Sequence, residues 1–469
     1  MKHTLILWMT FALPICAAYG QEALTLEQCR QLALDNNKEL KIAEAQVDRA
    51  AQERRAARTK YFPQLSATGS YIHNSKPLEL VDYSRFEAMT GQLLPQLAPL
   101  LMKYPQLAQS LPQIMEELKS LTHVDMQNVW IGDVSLVQPV FMGGKIVSYN
   151  QITGYARELA ESMHDTKLQD VICRTDETYW QVISLANKKK LADAYVDLLR
   201  KMDTDVAAMI TAGVATKADE LSVKVKLNEA EMAQTKVNNG LALSRMLLAQ
   251  LCGLDMEHPP LLADERIEQF AVQPTATQAN AEEAFSHRPE LKSLELATKI
   301  YRKKEQIALA EMLPTVALTA NYLVTNPNTY HGFKKEFSGM YNVGMLVRVP
   351  LSAWWEGSYK RNAARAETVI KRLETEEARE KVELQVNQSV YKVNEAGKQL
   401  TASTRNMERA EENLRYANVG FEEGVIPALN LMEAQTAWVS ARSQLIDAQI
   451  EVKLTEVYLS KALGRLGKE

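Results

Sequence analysis

Side chains that could carry out acid–base, nucleophilic or metal chemistry occur in this chain, but their spacing forms no recognisable site. The chain has seven histidines, and beyond the first twenty residues none stands at metal-ligand spacing from another histidine or a cysteine. Gly143-Gly144-Lys145 resembles the end of a phosphate-binding loop, but Pro139 replaces its first glycine and Ile146 replaces its serine or threonine. We therefore expect no metal, no cofactor and no enzymatic activity.

The charged side chains indicate a solvated surface. The formal net charge is −4 and both signs are interspersed along the chain, so there is no basic patch for nucleic acid. Carboxylates such as Glu374, Glu376 and Glu377 lie among lysines and arginines at helical spacing. That arrangement is typical of ion pairs on an exposed helix face. We expect no nucleic-acid partner.

An internal duplication is the strongest pattern in the chain. Residues 33–71 align without gaps on residues 284–322, and residues 139–253 align without gaps on residues 350–464. The second block carries a Gly-Val pair and a later glycine in one register in both copies. A repeat on this scale indicates architecture before chemistry.

The duplication divides the chain into four predicted segments. Residues 1–20 are predicted to be a secretory signal peptide, because a basic start is followed by an apolar run and small residues. The first structural repeat spans residues 21–254, a proline-containing linker spans 255–280, and the second repeat spans 281–469. We expect the chain to be exported.

The cysteines indicate small buried side chains and no disulfide framework. Cys16 lies in the signal peptide, where lipidation is the alternative to simple cleavage. Cys29, Cys173 and Cys252 remain after cleavage, an odd number that lies inside helical patterns.

Each repeat is predicted to contain two β-strands. After Pro63 and Pro314 the hydrophobic period changes from the helical value to two. A return strand precedes Pro139 and Pro350, which gives four strands of about ten residues, the length of a tilted bilayer crossing. Alternation alone fits either a small soluble sheet or a membrane wall.

Aromatic side chains where strands meet helices favour the membrane wall. They are Tyr61, Phe62, Phe141, Trp354 and Trp355. Aromatic rings collect at this level where a barrel crosses the membrane interface. Four strands cannot close a barrel, and an open edge is unfavourable in lipid, so we expect oligomers that close eight or twelve strands.

Long uninterrupted helical segments follow the return strands. Lys145–Ala212 and Glu356–Glu423 contain 68 residues each without proline, and Lys217–Cys252 and Ala428–Leu463 contain 36 residues each. At 1.5 Å per residue, the longer segments would form helices of roughly 100 Å. We predict two long helical hairpins per chain.

The loop between the first two strands, residues 72–128, breaks the symmetry of the repeats. It makes the first copy 40 residues longer than the second. Ser110 and Gln113 could cap a short amphipathic helix in its leucine- and proline-rich part. The loop is expected to be extracellular, and it could pack on a barrel mouth or act as a lid or partner surface.

The order and spacing of several segments resemble the TolC family of bacterial outer-membrane efflux channels. These segments are Leu24–Gln28, Ala33–Asn37, Tyr61–Leu65, Gln138–Gly144 and Tyr416–Asn430. The resemblance covers nearly all of the mature chain. It implies a fold that is mainly α-helical with a membrane β-barrel portion: a homotrimer with a twelve-stranded barrel in the outer membrane and a twelve-helix periplasmic tunnel.

The resemblance also implies a contact with a periplasmic adaptor protein that bridges to an inner-membrane pump. The matching positions lie at the two helical turns and are Gly213, Val214, Ala215, Thr216, Gly424, Val425, Ile426 and Pro427. Glycine would permit a tight reversal in any hairpin, so the turn itself needs no partner.

Just past the second turn, members of that family carry acidic residues that line a closed periplasmic entrance. The matching positions are Asn430 and Glu433, with Asp219 as the counterpart in the first repeat. Asn430 departs from the acidic pattern, so one of two expected carboxylate rings would be lost. Three copies of Glu433 around a narrow axis would favour cations. A tunnel-surface carboxylate without a gating role is the alternative.

The leading hypothesis is a passive outer-membrane exit channel of an efflux system, driven by a partner pump. One alternative is the exit duct of a type I protein secretion system. Another, from a different class, is a periplasmic coiled-coil scaffold without a pore. The substrate stays undefined, because in such a system the pump does most of the selecting.

Overall fold

The computed structural model of the chain describes most of both repeats. The described residues are 23–75, 78–79, 83–124, 126–266, 280–330 and 334–467. The predicted signal peptide, Cys16 and residues 267–279 of the linker lie outside these ranges.

The first repeat contains the predicted helices and strands, with further elements in its loop. In chain order they are α1 (Leu26–Asn36), α2 (Lys38–Thr59), β1 (Gln64–His73), β2 (Leu78–Glu79), α3 (Tyr83–Lys103), α4 (Pro105–Thr122), β3 (His123–Val124), β4 (Asn128–Met142), α5 (Lys145–Thr211) and α6 (Lys217–Cys252). The long α5 and the shorter α6 confirm the first predicted hairpin.

The second repeat has the same order without the loop helices. After a 3₁₀ turn (Ala263–Arg266) come α7 (Ala281–His287), α8 (Pro289–Ala310), β5 (Thr315–Asn326), β6 (Ser338–Arg348), α9 (Ala353–Glu422) and α10 (Ala428–Ala462). The second predicted hairpin is confirmed, with α9 starting three residues before the predicted Glu356.

Local hydrogen bonds explain why the first helix begins and ends where it does. The Gln28 backbone N–H donates to the Thr25 hydroxyl at 3.3 Å, and the Thr25 N–H donates to the Gln28 side chain at 2.9 Å. Asn37 leaves the helical conformation, and its side chain accepts from the Glu39 N–H at 2.8 Å. The Thr25–Gln28 spacing predicts this capping box, and Asp35-Asn36-Asn37 predicts a second helix start at Lys38; both are confirmed.

The loop between β1 and β4 differs from the prediction. The amphipathic helix starts at Pro105, and Ser110 lies inside it, with its hydroxyl donating to the Gln106 carbonyl at 3.1 Å. Proline suits the first turn, because the N–H that it lacks would have no helical partner there. The helix therefore begins five residues before the predicted start at Ser110. The sequence did not predict α3, which contains two internal prolines.

The four long strands form one antiparallel sheet in the order β1-β4-β5-β6. The register pairs Ala67 with Val134, Val134 with Tyr322, and Tyr322 with Tyr341. A bulge at Val140 interrupts the pairing of β4 with β5 near the helical end of the strands. The four predicted strands are thus confirmed.

The described residues form two compact units, and each draws on both repeats. The helical unit comprises residues up to Ala50, Arg157–Ala297 and the chain from Lys371 onward. The sheet unit comprises Ala51–Ala156 and Thr298–Ile370.

The core of the helical unit consists of apolar clusters between paired helices. One cluster surrounds Tyr179 and Ile183 of α5, whose side chains have no exposed area. Another lies near the hairpin turns and includes Val206, Val223 and Met432. The Tyr179 hydroxyl donates to Asp264 at 2.7 Å, which ties the 3₁₀ turn to this core. Burial raises the pKa of Tyr179.

An ion pair with a buried carboxylate attaches α1 to α5. Asp176 has no exposed area, and Arg30 donates to both of its carboxylate oxygens at 2.7 Å. Burial raises the pKa of the Asp176 carboxyl, and the Arg30 guanidinium opposes that rise. A bidentate geometry of this kind makes the strongest charge-assisted hydrogen bonds in proteins.

Replacing Arg30 by methionine would leave the Asp176 carboxylate buried without its cation. We expect the free energy of unfolding to fall by about 3–5 kcal/mol, the usual cost of breaking a buried pair from one side. Guanidinium unfolding of the purified protein, followed by circular dichroism, measures the change.

Arg157→Met is the matched control. Arg157 pairs with Glu161 one turn away, and both side chains are more than 40% exposed. We expect a change below about 0.5 kcal/mol, because exposed pairs are screened by water. Equal losses in the two variants would contradict a special role for the buried pair.

Candidate functional site

The sheet has one apolar face and one mainly polar face. Directly paired residues share a face, so the register defines both sets. The apolar face carries Leu65, Ala67, Tyr71, Trp130, Val134, Leu136, Phe141, Val316, Leu318, Ala320, Tyr322, Val324, Tyr341, Val343, Met345 and Val347. Most of its large side chains are exposed, so among the described residues this face has no element packed over it.

The opposite face carries polar side chains in a continuous row across all four strands. Ser66, Ser135, Asn321 and Asn342 occupy equivalent register positions. The Ser66 and Ser135 hydroxyls lie 2.7 Å apart, and the Asn321 amide donates to the Asn342 carbonyl oxygen at 2.9 Å. The carboxylate of Asp133 lies on the same face, in the next row. This face is suited to contact with water.

The two outer edges of the sheet are open. Within the described residues, β1 pairs only with β4, and β6 pairs only with β5. One row of backbone N–H and C=O groups therefore faces outward on each of these strands.

The five predicted interface aromatics lie at one end of the sheet unit. They are Tyr61, Phe62, Phe141, Trp354 and Trp355, and each is between 45% and 79% exposed. They stand before β1, at the end of β4 and after β6, and the register brings these points to the same end of the sheet. Their contact with a membrane stays a prediction.

A second aromatic group, which the sequence pattern did not identify as a set, lies toward the other end. The rings of Tyr71 and Trp130 have centroids 4.6 Å apart, and Tyr322 pairs with Tyr341 across β5 and β6. These four residues come from four strands, two in each repeat of the sequence. Only the strand register brings them together, so spacing alone could not have found the group.

The two hairpin turns have the same backbone geometry. In the first, the Val214 N–H donates to the Met209 carbonyl at 2.9 Å and Gly213 has φ of +78°. In the second, the Val425 N–H donates to a carbonyl five residues earlier at 2.8 Å, and Gly424 has φ of +69°. Both are Schellman motifs, which require the left-handed conformation that glycine adopts without strain.

The turns expose apolar side chains beside a shared groove. Val214 is 70% exposed and Val425 is 77% exposed. A groove of about 560 Å³ lies between the turns and is also lined by Met209, Phe421 and Ile426. The structure thus brings six of the eight predicted adaptor-contact positions to one groove: Val214, Ala215, Gly424, Val425, Ile426 and Pro427.

The helices that follow the turns start differently. Thr216 caps α6: its N–H and hydroxyl donate to the Asp219 carboxylate at 2.8 and 2.7 Å. These bonds hold the pKa of Asp219 below its ordinary value. Pro427 precedes α10 without a side-chain cap. The Thr-x-x-Asp spacing is a capping signal, so this helix start can be read from the sequence.

The predicted gate residues fall into two environments. Asn430 and Glu433 lie one turn apart on the exposed face of α10, opposite the buried Leu431 and Met432. Asp219 lines the groove between the turns with its carboxylate bound to Thr216. A gating role for the three side chains stays a prediction.

The described residues contain no metal-binding group of three or more histidine, cysteine, aspartate or glutamate side chains. In the same part of the chain, every helix is too short or too polar to cross a membrane.

Comparison with known proteins gives one family and a common fold. The family model described as outer membrane efflux protein matches residues 29–254 and 280–465. Protein CyaE of Bordetella pertussis is 22% identical over 312 residues, which cover 66% of this chain and 65% of CyaE. The chain thus spans just under two thirds of the length of this curated relative.

Two further proteins extend the comparison. The cobalt-zinc-cadmium resistance protein CzcC of Cupriavidus metallidurans is 21% identical over 360 residues, covering 74% of this chain and 81% of CzcC. The crystal structure of the outer membrane protein VceC from Vibrio cholerae superposes with a TM-score of 0.72 at 15% identity, over 94% of this chain and 96% of VceC. At that identity the superposition shows the fold alone.

Gly213→Ala tests the geometry of the first turn. A Cβ there would meet no atom within 4 Å, so the cost arises only from the positive φ. We expect the turn to lose about 1 kcal/mol of stability. Amide hydrogen exchange of the turn residues in the purified protein measures the loss.

Gly240→Ala serves as its control in the middle of α6. The new Cβ would lie 3.6 Å from Leu185, an ordinary contact, and alanine favours the helix by roughly 0.5–1 kcal/mol. The two substitutions should therefore act in opposite directions. Faster exchange at both sites would mean that the positive φ is not what distinguishes Gly213.

Proposed function

The chain belongs to the outer membrane efflux protein family, and from that premise we propose that it forms a trimeric exit channel in the outer membrane. The observation that carries the proposal is the two-faced sheet with open edges. An apolar face suits lipid and a polar face suits an aqueous lumen. Neither face is explained by packing within the single chain.

Closure of the sheet explains why several copies are needed. Unpaired backbone groups are too costly in lipid, so β1 of one copy would pair with β6 of the next. Two copies would give eight strands, and the interior of such a barrel is filled by its own side chains. Three copies would give twelve strands and leave room for a conduit.

The height of the apolar face supports a membrane crossing. On β4 the two aromatic groups are represented by Trp130 and Phe141, which are eleven positions apart in the sequence. At about 3.3 Å per residue this is roughly 36 Å along the strand, and a tilt near 40° reduces it to roughly 28 Å. Outer-membrane barrels have an apolar band of about 25 Å between aromatic girdles.

The groove between the hairpin turns is the proposed docking surface for a periplasmic adaptor. Exposed valines beside a groove offer apolar area that a partner could bury. The described residues include no nucleotide-binding loop, so we propose that energy for transport comes from an inner-membrane pump reached through the adaptor. The substrate would be selected mainly by that pump.

A conductance measurement tests the pore and the gate together. Each trimer that inserts into a planar bilayer should add one step of conductance. A coiled-coil scaffold would not conduct. Glu433→Gln should reduce the preference for cations, because three exposed carboxylates near the axis would be neutralised. The reversal potential in a salt gradient measures this preference.

Glu412→Gln is the control for loss of a carboxylate on a neighbouring helix. Glu412 lies on α9 and pairs with Arg415 at 2.8 Å, so its charge is already balanced. Its reversal potential should match that of the parent protein. An unchanged reversal potential in Glu433→Gln would remove the gate assignment, and the absence of any conductance would remove the channel.

Val425→Asp and Val214→Asp test the docking surface. A carboxylate at either exposed position would place a charge where the partner needs apolar contact. We expect transport by a reconstituted pump complex to fall at least tenfold. The bilayer conductance of each variant should stay at the parent value, which separates lost docking from misfolding. Parental transport by both variants would contradict the assignment.

A further inference from the structure

We propose that Cys29 and Cys252 form a disulfide bond in the mature protein. The bond would join the first helix, α1, to the last residue of α6. It would lie inside the apolar cluster that also contains Tyr179 and Ile183. The inference rests on export of the chain and is independent of channel activity.

The two thiols meet where α1 packs against the end of α6. Cys29 has no exposed area and Cys252 is 1% exposed. The Cys252 thiol donates to the Cys29 backbone carbonyl at 3.5 Å, so the two cysteines are in contact within the core. The Asn36 side chain donates to the Cys252 carbonyl at 3.3 Å, which holds the two backbones together at the other end of α1.

The third cysteine provides an internal comparison. Cys173 lies on α5 and its thiol donates to the Glu177 carboxylate at 3.5 Å. Within the described residues it has no cysteine neighbour. A disulfide that used Cys173 would need large movements of the helices, so the structure favours one pairing of the three that are possible.

The compartment supplies the oxidant. The chain belongs to a family of outer-membrane proteins, and dithiols outside the cytoplasm are oxidised by proteins that carry an exchangeable disulfide. One cysteine thiolate attacks that disulfide, the second displaces the oxidant from the mixed disulfide, and the oxidant leaves as a dithiol. The two cysteines lose two protons and two electrons, and the oxidant gains them.

Burial sets the order of oxidation and folding. Because both sulfurs are buried in the folded chain, oxidation must precede closure of the core, and reductants cannot reach the finished bond.

The bond would exist in one repeat only. Leu463 occupies the position equivalent to Cys252, 211 residues later, and is 2% exposed. The second repeat thus fills the same place with an aliphatic side chain. The disulfide would close a loop of more than two hundred residues and would hold α1, near the start of the mature chain, against α6.

Peptide mapping of the exported protein tests the proposal. Trypsin places the three cysteines in separate peptides: one ending at Arg30, residues 168–174 and residues 246–266. The purified protein is denatured in iodoacetamide without reductant and then digested. We expect residues 168–174 to be alkylated and the other two peptides to be linked, two hydrogen masses below their sum.

Reduction before alkylation should give three alkylated peptides. The Cys173→Ser variant should keep the linked pair, whereas Cys29→Ser should leave Cys252 alkylated. Dithiothreitol added to the folded protein should not release the link. Three alkylated peptides from the unreduced parent protein would overturn the proposal, and so would any linked peptide that contains Cys173.

Discussion

The constraint on which the structure depends is that every backbone hydrogen-bonding group in a membrane wall needs a partner. The sheet of one chain leaves β1 and β6 with one open edge each, and no other described strand covers them. A single chain therefore cannot pair all the backbone groups of its own sheet. In the proposed trimer, pairing of β1 of one copy with β6 of the next meets this requirement.

The duplication supplies the strands and the hairpins in two equivalent sets. Each repeat contributes two strands to the sheet and one hairpin to the helical unit. Equivalent glycines end equivalent helices: Gly253 packs at Asn36, where α1 ends, and Gly464 packs at His287, where α7 ends. The pairs are related by the offsets of the sequence repeat, so the repeats agree at the level of single backbone contacts.

The sequence predicted what local rules control. Hydrophobic period and proline positions located the four strands and the four long helices, and the Thr25–Gln28 spacing located the first helix start. Rules of this kind failed for α3, because an exposed helix can tolerate Pro95 when water solvates the carbonyl that loses its donor.

Properties of the candidate site that depend on register or tertiary contact were beyond local rules. The sequence could place Tyr71 and Trp130 in strands, but only the pairing of β1 with β4 stacks their rings. Likewise, the sequence indicates only that the three cysteines are small buried side chains. The packing of α1 on α6 shows that two of them are in contact. The turn glycines, in contrast, were visible from the start, because their conformation is a local property.

The unequal starts of α6 and α10 have a mechanical consequence. Thr216 and Asp219 close the first turn of α6 with reciprocal hydrogen bonds, whereas Pro427 offers α10 no side-chain acceptor. The first turn of α10 can therefore unwind with less loss of hydrogen bonding. In a ring built from three copies, stiff and compliant tips would alternate, so such a ring would deform with threefold and not sixfold symmetry.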